Sequence, residues 1–583
     1  MRRREFMGSL AAGVALASTT GLSGCATAAP AGAVRPTAGG ILSDKKRQQL
    51  VAMADFGRKQ PASGRKGLAV STHPLVTQAA LDVMSDGGNA VDAIVAASIA
   101  QSVVEPHMTT LTGVWSMLYY EAKTGKVSYL NCSNNAPLNL PVNQDEWNKN
   151  AVEMMNDGRG VTVPGFWAGV EEALKVYGTL PKKRLVAPAI DYARNGFEIH
   201  PFLWGEMFAE MSHLCRTEAG REIFMPNGTN IPNVGEKLYQ KRAADLLERL
   251  VEEGNDYFYH GAFAEKFSKL VQENGGWVTP EDFAAYKPMW QDAARTRYRE
   301  YDYFGAPYPD FGGQFLGEIF NVLSLLDLKS MGPASQSGET LLTMRRTIDL
   351  VTEQAMGWHY QNNRPNIERI MSMELAEERL SELRKRGIAS LASEMDTVAP
   401  PPPGSNHLTV TDAEGNVATV LHSCMSWPWS NGLFVDGINI CAASAHYGSG
   451  IPKPGERIKA RIGPNLFTKN GKPVLMSGSP SVGLVENIVQ VSTSLLDFDM
   501  NIEEAVHQPR FGSAWGAKVP GAFFVEGHMD KSVLDYLNKH DAKYQLQNPW
   551  NWSNGSFDGI YFDESGLAHA CGDPRRSAQA FAL

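Results

Sequence analysis

Gly404-Ser405-Asn406-His407-Leu408-Thr409-Val410 stands where the character of the chain changes. Ahead of it runs the tetraproline 400–403, which cannot be helical and reads as an extended, exposed strap. Behind it, residues 407–411 and 417–421 alternate around the turn Asp412-Ala413-Glu414-Gly415-Asn416, the pattern of a hairpin. A serine directly after a glycine, between a strap and a first strand, is placed to be freed as a new amino terminus by an N-to-O acyl shift. Such a residue carries its own catalyst: the hydroxyl attacks while the α-amine, with an ordinary pKa of roughly 7.7–8.0, takes the proton. Taken alone, Gly404-Ser405 also fits a linker end, and local sequence favours that plainer reading.

Outward from the junction, the tail continues in hairpins. Asn470-Gly471 separates Leu466-Phe467-Thr468 from Val474-Leu475-Met476, and Ser565-Gly566 separates Ile560-Tyr561-Phe562 from Leu567-Ala568-His569. Toward the amino terminus the pattern is helical. Val76, Ala79, Ala80, Val83 and Met84 follow Pro74 at helical spacing and stop at Gly87-Gly88, while 90–104 is apolar nearly all round and predicts an interior helix. Further helices are expected over 166–177, 184–194, 339–356 and 366–386. The reading is one large α/β body, helix-rich over 46–404 and hairpin-rich over 405–583.

The chain has 583 residues, 43% of them hydrophobic and 20% charged, with net charge −9. That composition excludes a disordered or fibrous protein, and the absence of a basic stretch interleaved with aromatics excludes a nucleic-acid partner. Residues 1–24 have an export leader's layout: Arg2-Arg3-Arg4, then a short uncharged stretch. Arg3-Arg4-Glu5-Phe6-Met7 resembles a twin-arginine signal and Leu22-Ser23-Gly24-Cys25 a lipobox, which makes Cys25 the lipidation site and 25–45 a flexible tether. The expected location is periplasmic, with the membrane touched only through the lipid. Five other cysteines show no C-x-x-C pair, and His213-Leu214-Cys215 has no matching second half, so neither disulfide framework nor metal is expected.

Common catalytic signatures are missing, among them G-x-S-x-G, the phosphate-binding loop and H-E-x-x-H. Ser63-Gly64-Arg65-Lys66 fits S-x-x-K, a pattern short enough to arise by chance. Three other segments are informative together: Asp86-Gly87-Gly88-Asn89-Ala90-Val91-Asp92-Ala93; Val161-Thr162-Val163-Pro164-Gly165-Phe166 with Tyr177-Gly178-Thr179-Leu180-Pro181; and Cys571-Gly572-Asp573-Pro574-Arg575-Arg576. In this order they resemble the hallmarks of the γ-glutamyltranspeptidases. Val103-Val104-Glu105-Pro106-His107 is similar to the branch containing amidohydrolases that do not use glutathione.

The resemblance implies a four-layer αββα N-terminal-nucleophile hydrolase, self-cleaved between Gly404 and Ser405, needing no cofactor and acting on a small amide with water or an amine as acceptor. It assigns Ser405 as the nucleophile in place of the family threonine, Ser423 as its hydrogen-bonding neighbour, and the backbone N–H groups of Ser481 and Val482, in Gly478-Ser479-Pro480-Ser481-Val482, as oxyanion donors. The family's glutamate clamp is altered. Its arginine falls on Ser133, its acidic residue near Cys441 and its paired serines near Ala460-Arg461, which argues against γ-glutamyl substrates. Arg461 offers a replacement carboxylate anchor, and Trp427 and Trp429 a bulky apolar wall. The expected function is therefore a γ-glutamyltransferase-like amidohydrolase or acyltransferase. The alternatives are glutathione hydrolysis with a rewired clamp and an uncut, inactive binding lipoprotein.

Overall fold

The computed structural model describes residues 37–360, 366–386 and 404–583, without the side chains of Ala38 and 356–360. The leader 1–24, Cys25 and the tetraproline lie outside the described residues. Before the junction come β1 (Pro61–Gly64), β2 (Gly67–Ser71), β3 (Val114–Glu121), β4 (Lys126–Asn131), β5 (Met289–Asp292), β6 (Ala294–Tyr298) and β7 (Tyr301–Gly305). After it come β8 (Asn406–Asp412), β9 (Val417–Ser423), β10 (Asn465–Lys469), β11 (Lys472–Ser477), β12 (Ile560–Phe562), β13 (Ala568–Cys571) and β14 (Gln579–Ala582). They form two seven-stranded sheets, β1-β13-β12-β11-β10-β7-β6 and β14-β2-β8-β9-β3-β4-β5, antiparallel throughout.

The helices that frame the sheets and the site are α1 (Asp44–Val51), α2 (Pro74–Ser85), α3 (Ala90–Val104), α4 (Pro201–Ala209), α5 (Gly312–Ser324), α6 (Gly338–Tyr360) and α7 (Leu484–Leu496). Strand alternation builds the layers. In β3, Trp115, Met117 and Tyr119 face the helical layer, where Trp115 abuts Gly169 and Tyr119 packs on Tyr177 of the helix Phe166–Tyr177, while Leu118 and Tyr120 meet Leu466 and Met476 of the opposite sheet. A second inter-sheet cluster joins Leu68 and Val70 to Ile560, Ala568 and Ala570, and α5, α6 and α7 cover the outer face of the first sheet over Phe467 and Leu475. The result is the expected αββα sandwich.

The three hairpins form as the sequence predicts, and Asn470 and Gly471 take the paired positive φ values (53° and 75°) that a two-residue turn needs. The Asp86–Ala93 motif also has a local reason. Gly87 leaves α2 at φ 90°, Asn89 then caps α3, and the Asp92 side chain closes the capping box. Asp92 also accepts the N–H of Thr179, so two of the sequence motifs meet at one carboxylate.

Three expectations change. The 25–45 tether is folded from Thr37 onward, because the Thr37 N–H donates to Asp82 Oδ1 (2.7 Å), Leu42 is buried and Ser43 caps α1. The helix over 366–386 is two, Ile367–Ile370 and Met373–Arg386, with the Ser372 hydroxyl accepting from Leu375 N. Helix and hairpin are also less segregated than expected, since seven of the fourteen sheet strands precede the junction. Buried strands such as 114–121 lack the polar alternation that marks a half-exposed strand.

Candidate active site

Register places the key hydroxyls. Asn406 pairs with His422 between β8 and β9, so Ser405 lies opposite Ser423. Odd-numbered residues of both strands face the gap between the sheets: Thr409 donates to Asp558 O (2.7 Å) and the Nε2 edge of the His407 ring abuts Gly478, where a Cβ would collide with it. Even-numbered Leu408, Val410, Ala418 and Val420 face the helices. Ser405 and Ser423 therefore share the open end of the inter-sheet gap, beneath the loop that leaves β11.

Ser405 Oγ lies 3.0 Å from Ser423 Oγ and 2.6 Å from the Gly404 carbonyl oxygen, and Ser423 Oγ donates to that same oxygen at 2.6 Å. A consistent chain of protons runs from the Ser405 hydroxyl to Ser423 Oγ and from Ser423 to Gly404 O. Met425, held at φ 53°, turns its N–H onto Ser423 Oγ (2.8 Å) and fixes that hydroxyl's direction. Gly404 has no room for a side chain, because a Cβ would press on Cys424 Sγ and Ser426 O. The arrangement can polarise the Gly404 carbonyl beside a nucleophilic oxygen.

The loop Gly478–Val482 leads directly into α7, whose amino-terminal end adds partial positive charge. Ser481 has φ 80°, a left-handed conformation that glycine adopts more readily than serine. Its hydroxyl donates to Ser553 O (3.1 Å), which also accepts Gly483 N, and this pins the loop. Among the described residues, the N–H groups of Ser481 and Val482 have no acceptor, which leaves both for a developing oxyanion.

Beneath Ser405, Arg576 reaches Asn406 Oδ1 (2.9 Å), Glu105 Oε1 (3.4 Å) and Ser405 O (3.5 Å). Glu105 Oε2 accepts from Thr72 (2.6 Å) and Gln101 (2.8 Å), and Gln101 Oε1 accepts His422 Nε2 (2.8 Å). Asp573 and Glu526 hold Arg575 and Arg510 in a fully buried ionic cluster next door. The Cys571–Arg576 and Val103–His107 motifs therefore converge on the main chain of residues 405 and 406. Their motifs give no sign of this convergence in the linear sequence, because Glu105 and Arg576 lie 471 positions apart.

The substrate-binding expectations divide. Arg461 comes to the oxyanion loop, with Nη2 3.5 Å from Val482 O and the guanidinium over the Phe315 ring. Ser133 and Cys441 do not open onto it. Ser133 is buried and donates to Asp310 Oδ1 (2.6 Å), whose other oxygen takes the hydroxyls of Ser116 and Tyr129, and Cys441 Sγ is turned onto Thr112 O (3.0 Å). Burial pushes Asp310 up to about 6 against these hydrogen bonds. Trp429 is core, packed on Phe224 and His107, and Trp427 is half-buried. Phe202, to which sequence order assigns no role, is buried among Phe56 (5.7 Å), His107 (5.0 Å), Arg576 (4.6 Å) and the half-buried Trp552 (5.8 Å), whose neighbour Ser553 pins the oxyanion loop.

Among the described residues no group of three His, Cys, Asp or Glu could hold a metal ion, and no helix is long and apolar enough to cross a membrane. His213 is engaged with Glu210 and Cys215 with Met225 Sδ.

Buried histidines set the expected acid response. Burial pushes His200, His407 and His422 down to about 3, while Asp82 and Asp310 are pushed up to about 6, Glu206 up to about 7, and Glu318 and Asp558 above the usual carboxylate range. Below pH 6.5 the unfolded chain binds protons on these histidines and the folded chain does not, so stability falls; the carboxyls act in the opposite sense. His73 and His107 are also held well below the usual range by burial, and His446 at about 4, so the histidines prevail. Thermal unfolding should show a lower midpoint at pH 5 than at pH 7.5, and an unchanged or higher midpoint contradicts this.

The αββα layers and a serine facing the inter-sheet gap define an N-terminal-nucleophile hydrolase, an enzyme of amide hydrolysis or acyl transfer. The chain belongs to the γ-glutamyltranspeptidase family, whose profile matches residues 76–583. It is 26% identical to the glutathione hydrolase proenzyme of Escherichia coli K12 over 548 residues, covering 88% of this chain and 91% of that protein. It is 27% identical to the Acylase ACY 1 proenzyme of Pseudomonas sp. strain SE83, covering 80% and 86%. The crystal structure of cephalosporin acylase from Bacillus halodurans superposes with a TM-score of 0.78 at 25% identity, covering 90% of this chain and 97% of that one.

Proposed function

We propose that the chain cuts itself between Gly404 and Ser405 and then works as an amide hydrolase or acyltransferase through Ser405. The observation that carries this reading is the hydroxyl chain from Ser405 through Ser423 to the Gly404 carbonyl oxygen. In the first step Ser405 Oγ adds to the Gly404 carbonyl carbon, the C–N bond breaks, and the hydroxyl proton ends on the departing nitrogen. Water then hydrolyses the Gly404 ester and leaves Ser405 with a free α-amine. In turnover the same oxygen attacks a substrate amide, the α-amine carries the proton to the leaving amine, and the acyl ester passes to water or to an amine acceptor. Ser481 and Val482 N–H groups receive the oxyanion. The names of the relatives, proenzymes among both glutathione hydrolases and acylases, support a precursor cut into two chains.

A substrate other than a γ-glutamyl compound is favoured because Ser133, where the resemblance places the family arginine, is buried on Asp310, and the cation beside it, Arg457, is already committed to the carbonyls of Ser133 and Lys287 and to Asn135 Oδ1. Arg461 at the oxyanion loop supplies a carboxylate anchor from another side. Ser423→Ala removes the donor to Gly404 O and should slow self-cleavage by about 10²–10³-fold, read as the fraction of uncut chain against time; cleavage at the native rate refutes the role. Turnover is sought with γ-glutamyl anilides and other N-acyl amides, with Ser405→Ala as the control. Export through the twin-arginine route and lipidation of Cys25 complete the proposal. Cys25→Ala should move the protein from the membrane fraction to the soluble periplasm, and an unchanged distribution argues against the anchor.

A further inference from the structure

α4 begins at Pro201, directly after the buried His200, and its first turn places Phe202 between His107, Arg576 and Trp552. Glu206 lies one helical turn beyond Phe202, on the same face. It is half-buried, and among the described residues no hydrogen bond or ion pair reaches its carboxylate. The neighbouring cation does not satisfy it, because Arg576 is committed to Glu105 and Asn406. Glu206 is also near enough for its charge to raise the Cys424 thiol pKa, and Cys424 is the side chain against which Gly404 rests. A free carboxylate thus stands one helical turn from Phe202, whose ring is shared by Arg576 and Trp552.

We propose that Glu206 is the specificity anchor of the substrate pocket, receiving an ammonium group carried by the amide substrate while the half-buried Trp552, backed by Phe202, holds an adjoining apolar or aromatic portion. This rests on the reading of Ser405 as the nucleophile only in calling the pocket a substrate pocket. A carboxylate with apolar walls recognises a cation strongly because its own hydration is already reduced. Burial pushes Glu206 up to about 7, against Arg576, which lowers it, and with Glu210 of the next turn, which raises it. Cys424, which the Glu206 charge reaches, is held neutral by burial. The anchor is therefore charged at pH 8 and mostly neutral at pH 6.

The test uses benzylamine, a cation at both pH values, with benzyl alcohol as its neutral counterpart, on the enzyme as expressed. Benzylamine should raise the thermal midpoint saturably at pH 8 beyond any effect of benzyl alcohol, with affinity about tenfold weaker at pH 6. Glu206→Gln should weaken benzylamine binding by about tenfold or more at pH 8 and leave the benzyl alcohol response unchanged. No benzylamine shift in the wild-type protein, a shift of equal affinity at both pH values, or one that survives in Glu206→Gln overturns the proposal. The wild-type pH comparison decides the matter without the variant, and a denaturing gel of Ser405→Ala judges the nucleophile separately.

Discussion

Ser405→Ala should leave the polypeptide as one band on a denaturing gel, where the wild type is expected to run as two, and should abolish turnover of every amide the wild type accepts. Alanine keeps the backbone of β8 and removes only the oxygen that stands 2.6 Å from Gly404 O and 3.0 Å from Ser423 Oγ. No other hydroxyl in the cluster can replace it. Ser423 already donates to the Gly404 carbonyl and is fixed by Met425 N, and Thr409 is held by Asp558 O. Losing a covalent nucleophile removes the acyl-enzyme route itself, so the expected loss is about 10⁴-fold or more. Ser405→Thr, which restores the residue the family carries, should cut itself, because it retains the hydroxyl and adds only a methyl that stiffens χ1. If Ser405→Ala still splits into two chains, the bond is broken by something other than this residue.

Glu526→Gln should lower stability by about 3–5 kcal/mol, or about 3–5 °C in midpoint for a chain this long. Glu526 is fully buried and takes both forks of Arg575, at 2.7 and 2.6 Å. Asp573 alone then faces two buried guanidinium groups, Arg510 and Arg575. Burial on its own would raise the Asp573 pKa, but the two arginines hold it below the usual carboxylate range. A neutral amide at 526 leaves one of those cations uncompensated in an interior without water to hydrate it. The loss extends to the site, because Glu526 also accepts from Asn554, in the turn whose Ser553 carbonyl pins Ser481. Unfolding followed by circular dichroism checks the first effect, and the fraction of uncut precursor checks the second. A variant as stable as the wild type would show that the cluster is not strained by the change.

What the sequence disclosed follows from the kind of signal each element carries. Turn chemistry marked the hairpins: Asn470-Gly471 and the Asp412–Asn416 turn need conformations that few residues adopt, so their composition gives them away. The interior helix at 90–104 was legible because an all-round apolar stretch of that length has nowhere else to go. Central strands were less visible, since β3 is buried on both faces and its sequence resembles any apolar segment. In the site, motif order pointed to Ser405, Ser423 and the 478–482 loop. Their meeting is a matter of strand register, which single-strand patterns do not contain. Positive φ at Ser481 is likewise a tertiary outcome, imposed by Ser553 and α7 rather than by the serine. Phe202, Trp552 and Glu206 left no local signature, because a wall assembled from residues 350 positions apart exists only after folding. Ser133 and Cys441 misled for the same reason: alignment placed them, and burial took them out of reach.

Self-scission ahead of Ser405 is the event on which site and chemistry depend, and intact-mass spectrometry of freshly purified wild-type protein measures it most directly. Two species are expected, the smaller matching residues 405–583 with an unmodified amino-terminal serine. A single uncut mass in material that nonetheless hydrolyses amides would contradict the account.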